Sequence, residues 1–166
     1  ATMSDLDRAP QPYGLATTGG RASTPGAGGV PLGGGSGWRE RKFGLACDNL
    51  RSVERVTAAG SGVRASEDEN PALFWALHGG GGNFGVAGSF EFQLHPVGPM
   101  VVGGIVAWPF DRARDVLQFY REFSRSVSDD EMVFAAMLTA PDGVTKLIAI
   151  AAGYFACRFI GDGIAE

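Results

Sequence analysis

Residues 14–37 hold ten glycines in 24 positions, and no other feature of this 166-residue chain limits its fold so strongly. Gly19-Gly20, Gly28-Gly29 and Gly33-Gly34-Gly35 stand among Pro25 and Pro31. Such content predicts that neither a helix nor an ordinary strand forms there. The stretch is not a flexible linker either, because Leu15, Val30, Leu32 and Trp38 are interspersed. It reads as an ordered loop run in which backbone comes very close to something. A close-packed strand is one candidate and a phosphate-bearing ligand the other.

Composition narrows the choice. With 45% hydrophobic residues, wholesale disorder is excluded. The 26 glycines follow no G-X-Y repeat, so the chain is not collagen-like. No apolar run approaches the roughly 18 residues of a membrane span, so no membrane partner is expected. A net charge of -4 argues against nucleic acid as the main partner. The charge is uneven. Residues 21–64 carry seven Arg or Lys against Glu40, Asp48 and Glu54. That local excess coincides with much of the glycine-rich stretch and would suit an anionic ligand, although a solvated face is equally ordinary. Cys47 and Cys157 give neither a disulfide framework nor metal spacing. Two free thiols in a reducing, cytoplasmic setting are expected. No metal site is expected.

Beyond the glycine run, strand Arg51–Ala58, a turn at residues 59–62 and a return strand from Val63 predict a hairpin. Asn70-Pro71 predicts a helix start, with Asn as the cap and Pro in the first turn, ending at Gly79. A second glycine loop, Gly79–Gly82, follows. Residues 89–95 alternate cleanly, with Phe90, Phe92 and Leu94 on one face, which predicts a half-buried strand. Composition shifts near Gly98, the expected boundary between two domains, 1–98 and 99–166. The remainder predicts a strand over 101–108, a helix over 111–127 capped by Asp111, and a hairpin of strands 132–138 and 144–152 around Pro141-Asp142-Gly143. That order suggests an antiparallel sheet with a helix on one face.

Standard catalytic signatures are absent. There is no GxxxxGK[ST] loop and no GxSxG elbow. Gly33–Gly37 fails as a dinucleotide fingerprint, because no strand precedes it and no capped helix follows. His95 before Pro96 reads as structural. His78 reads as a helix cap or a neighbour of a ligand. Glu67-Asp68-Glu69 reads as a solvated run. By physics alone the two glycine loops fit either tight turns or a pyrophosphate cradle.

The run from Gly14 through Gly33-Gly34-Gly35-Ser-Gly-Trp, and then Arg41-Lys-Phe-Gly-Leu-Ala-Cys-Asp-Asn-Leu, resembles the flavin-binding domain of the berberine-bridge-enzyme-like oxidoreductases, in the vanillyl-alcohol oxidase superfamily. Ala65–Leu77, Gly79-Gly-Gly-Gly-Asn-Phe-Gly-Val and Ser89-Phe-Glu-Phe-Gln-Leu-His-Pro continue the resemblance in unbroken order. It implies an α+β fold: the second half of a PCMH-type FAD-binding domain, then the start of a substrate domain built of an antiparallel sheet plus helix. It implies FAD lined by Ser23, Thr24, Gly26, Gly29, Val30, Gly33, Gly34, Gly35 and Gly37, with Val86 meeting the adenine end through its backbone.

Departures from the family pattern qualify this. Relatives often attach flavin through Cys and His. Ala22 stands at the Cys position, so no cysteinyl bond is expected, and the His lies in an upstream loop outside this sequence. Pro31, His78 and Gly88 stand where Thr, Arg and Thr are usual. No catalytic base can be named, and Tyr120 and Tyr154 read as structural. The implied activity is FAD-dependent oxidation of an alcohol, amine or sugar C–H in a small-molecule substrate, with oxygen as acceptor. The other readings are a non-catalytic remnant that self-associates as a homo-oligomer, and a simple phosphate- or nucleotide-binding module.

Overall fold

The structure is a computed structural model that describes residues 1–98 and 100–155. Cys157 and the chain end lie outside those residues. The protein is α+β, with two compact units, one within residues 1–98 and the other within 100–155.

The first unit opens with α1 (Met3–Arg8), whose start is fixed by a reciprocal capping box. Asp5 N donates to Thr2 Oγ1 at 3.3 Å, and Thr2 N donates to Asp5 Oδ2 at 2.8 Å. The glycine run then contains two short regular pieces, β1 (Leu15–Ala16) and α2 (Gly29–Leu32). This corrects the expectation of loop alone. Two residues suffice for a strand when a partner supplies the other half of the ladder. One helical turn tolerates Pro31 because its missing N–H is among those a first turn leaves unpaired anyway.

After α3 (Glu40–Phe43) come the hairpin strands β2 (Leu50–Val56) and β3 (Gly62–Ser66), then α4 (Pro71–Leu77), β4 (Val86–Phe92) and β5 (His95–Pro96). The sheet order is β3-β2-β4, antiparallel throughout, while β5 pairs with β1. Leu50, Val53, Ala65, Phe74 and Leu77 form the buried core, rimmed by Leu32, Phe84, Ala87, Phe90 and Phe92. Complete burial of such side chains contributes roughly 1.5–3 kcal/mol each.

Two details differ from the sequence reading. The alternating strand begins three residues earlier than expected and breaks at Gln93-Leu94, where the chain leaves β2 to pair with β1. Asn70 does not cap α4 with its side chain. It adopts a left-handed conformation (φ 53°), and its Nδ2 donates to Arg64 O at 2.7 Å, tying the helix start to β3.

The second unit is β6 (Val102–Pro109), α5 (Ala113–Ser126), β7 (Glu131–Thr139) and β8 (Lys146–Tyr154), in antiparallel order β6-β8-β7. Val116, Ala113 and Tyr120 of α5 pack on Trp108, Ile148 and Ile150. Asp111 does not cap α5, because a 3-10 turn over Phe110–Arg112 runs straight into the helix. Residues 144 and 145 belong to the turn, where their N–H groups donate to Asp142 Oδ1 at 2.9 Å each.

Candidate functional site

The two glycine-rich loops meet within the first unit. A Cβ built on Gly79 would lie 3.9 Å from Gly34 N. The first loop is pinned by the N-terminal residues: Met3 N donates to Pro25 O at 2.8 Å, Ser4 N to Ser23 O at 3.0 Å, and Ala27 N to Ala1 O at 3.0 Å. Ser23 and Thr24 are exposed, and Gly26 bridges to Thr2.

The glycines divide by what a side chain would meet. Gly26, Gly29 and Gly34 face open space. So do Gly81 and Gly82 of the second loop. Gly35 and Gly37 have reasons inside the protein instead. A Cβ on Gly35 would meet Ala46 Cβ and Val30 Cγ1 within 2.7 Å, and one on Gly37 would strike Gly19 O. Gly80 is pressed against Ala76 O and the Phe84 ring. Gly33 lies between these cases, 3.5 Å from Gly29 O.

Backbone donors are more committed than the sequence suggested. Val30 N bonds to Gly26 O, Gly33 N to Gly29 O, and Gly34 N to Pro31 O. A ligand at the first loop therefore meets bare Cα surface rather than a continuous row of free N–H groups. Val30 turns its side chain toward Gly20 and Gly35. Val86 opens β4 opposite Val56 and is 75% exposed.

Part of the local cation excess is neutralised. Arg21 pairs with Glu40 at 3.2 Å, Arg39 with Asp7 at 2.9 Å, and Arg64 with Glu91 at 3.1 Å. Glu40 also accepts from Gly37 N at 2.9 Å, so this pair fixes the end of the loop. A shallow open concavity of about 450 Å³ lies on the sheet, lined among others by Glu54, Arg55, Val56, Arg64 and Ser89. No glycine of either loop lines it.

The sequence reading missed a polar cluster behind the first loop. Arg39 donates twice to Thr17 O, at 2.8 and 3.1 Å. Buried Asn49 donates to Phe43 O and Leu45 O, and its Oδ1 accepts from His95 Nε2 at 2.6 Å. The His95 ring stacks on Phe43 with centroids 4.0 Å apart. The donor count of Asn49 settles the tautomer: both its N–H groups are used, so His95 Nε2 carries the proton. His95 is thus structural. His78 caps α4 with Nδ1 2.7 Å from Phe74 O.

Burial, with a smaller push from Arg39, holds His95 below its ordinary pKa near 6.5. The unfolded chain therefore takes up this proton first as pH falls. Stability is expected to decline as pH drops below about 6.5, and His95→Gln is expected to flatten that decline. Melting temperatures at pH 7.5, 6.5 and 5.5 check it; equal slopes for both chains would refute it. Cys47 is buried, and burial and Asp48 raise its pKa, so it is a poor nucleophile. Among the described residues no His, Cys, Asp or Glu cluster could hold a metal ion, and no helix is long and apolar enough to cross a membrane.

Residues 1–66 match the FAD binding domain family. An FAD-linked oxidoreductase of Dictyostelium discoideum is 34% identical over 88% of this chain and 32% of its own length. Crystalline 6-hydroxy-D-nicotine oxidase from Arthrobacter nicotinovorans superimposes with a TM-score of 0.85 at 26% identity, over all of this chain and 39% of that one. BBE-like 1 of Physcomitrella patens gives 0.81 at 28% identity, over 92% of this chain and 33% of that one. The chain is a relative of the FAD-linked oxidoreductases of the berberine-bridge-enzyme-like group. Its α+β architecture is that of their PCMH-type FAD-binding fold. It spans about a third of the length of these relatives.

Proposed function

We propose that the first unit holds FAD non-covalently along its two glycine-rich loops, as part of a flavoprotein that oxidises an alcohol, amine or sugar C–H in a small-molecule substrate. The carrying observation is the meeting of the two loops at Gly34 and Gly79, with Gly29, Gly34, Gly81 and Gly82 all open to a ligand. This is a surface a Cβ would fill, which fits close approach of a flat, phosphate-bearing cofactor. Ser23 and Thr24 offer exposed hydroxyls beside it. Ala22 offers no thiol, so the chain would position the cofactor without a cysteinyl bond at that point. Bound FAD would supply the hydride chemistry, with oxygen as the acceptor. The chain's own part is to orient the cofactor and to shield its phosphates.

Absorbance of the purified chain after incubation with FAD and gel filtration tests this. Visible flavin bands eluting with the protein are the expected result. A colourless protein peak would refute it.

A second reading, self-association without catalysis, is favoured by one observation. The second unit leaves Val102, Ile105, Val106 and Met137 more than half exposed. A solution mass of twice the chain, with no flavin retained, would select it.

A further inference from the structure

Gly19 and Gly20 make room for α1. A Cβ on Gly19 would stand 2.9 Å from Met3 Sδ, and one on Gly20 would stand 3.8 Å from Met3 Cγ. Met3 is the buried residue of α1, only 2% exposed. Gly20 N donates to its Sδ at 3.1 Å. The N–H of Met3 donates in turn to Pro25 O, and that of Ser4 to Ser23 O. One residue therefore holds both ends of an arch that runs from Gly20 to Pro25.

The arch has little else to keep its shape. Residues 21–25 are exposed and belong to no helix or strand. No backbone hydrogen bond joins one residue of the arch to another. Arg21 reaches Ser36 and Glu40, but these bonds are exposed to water and add little. Methionine suits the buried seat. Its unbranched thioether fits over Gly19 and gives the Gly20 N–H an acceptor. Leucine would fill the same space and leave that donor without one. An arch already held in shape spares a ligand the cost of ordering it.

We propose that Met3 is a positioning residue of the cofactor site, its thioether holding the Gly20–Pro25 arch in the shape that presents the Ser23 and Thr24 hydroxyls to FAD. The proposal rests on the reading that FAD lies along the two loops. Met3 itself touches no cofactor. It acts through the arch.

Three measurements on the full chain test it: FAD titration well below the melting point, melting curves without ligand, and trypsin cleavage after Arg21. The bond after Arg21 lies in the arch, so release of the fragment 1–21 reports its opening. Met3→Leu is expected to melt within a few degrees of the wild type, because the buried volume is kept. It is expected to bind FAD about tenfold more weakly and to be cut faster after Arg21, with saturating FAD restoring protection. Gly19→Ala disturbs the same contact from the other side, since its Cβ displaces the sulfur, and is expected to behave alike. It decides the matter if the Leu variant does not fold. Faster cleavage with wild-type FAD affinity would overturn the proposal and leave the cofactor reading intact. Weaker FAD binding with unchanged cleavage would overturn the route through the arch. A lower melting temperature alone would make Met3 a packing residue and nothing more. A wild-type chain that binds no FAD would overturn both the cofactor reading and the role of Met3.

Discussion

Gly37→Ala is expected to cost the first unit about 3 kcal/mol and to lower its melting temperature by roughly 10 °C or more. Gly37 is buried, and the added Cβ would run into the carbonyl oxygen of Gly19 and the Thr18 methyl. Neither can retreat. Thr18 is fully buried, and Gly19 backs onto Met3 Sδ of α1, a residue that is itself buried. Nor can Gly37 move away, because its N–H is held by Glu40 and Glu40 by Arg21. The collision is backbone on backbone, so no rotamer change relieves it. Thermal unfolding followed by near-ultraviolet circular dichroism reads the effect. An unchanged transition would mean that residues 19 and 37 are not in contact in solution.

That glycine also shows what the sequence could and could not say. Its density between residues 14 and 37 announced close approach, and the protein's own packing supplies it at some of these positions. Gly35 and Gly37 pack against the protein's own backbone and side chains, while Gly29 and Gly34 face open space. Sorting one kind from the other required coordinates, because a glycine carries no side chain whose polarity could mark its neighbour. Long periodic patterns were legible. The alternation of β4 was one, and turn and cap signals at residues 59–62 and at Asn70-Pro71 placed the β2–β3 hairpin and α4. Short pieces were not. β1 exists only because His95-Pro96 returns to pair with it, a contact about 80 residues away in sequence. The caps failed for a local reason. Asn and Asp side chains have several backbone partners within reach, and at Asn70 the side chain is oriented to donate through Nδ2 to Arg64 O, with no bond from a helix N–H to its Oδ1.

Gly29 supplies the converse of Gly37. It is the first residue of α2, it is exposed, and nothing lies within 4 Å of where its Cβ would stand. For folding alone glycine is the wrong residue here, since alanine in a helical position is favoured by roughly 0.5–1 kcal/mol. Gly29→Ala is therefore expected to hold or raise the melting temperature. If the cofactor lies against this turn, even one methyl would hold it off, and a larger side chain would fill the space that it needs. Gly29→Leu is expected to weaken FAD binding about a hundredfold, near 3 kcal/mol, with Gly29→Ala showing a smaller loss in the same direction. The two measurements must diverge: stability kept, affinity lost. A Leu variant that binds FAD as the wild type does would remove the first loop from the cofactor site. A Leu variant that loses FAD and stability together would show Gly29 to be a packing residue like Gly37. Only the divergent outcome ties this glycine to the ligand, because no internal contact competes for the space beside it.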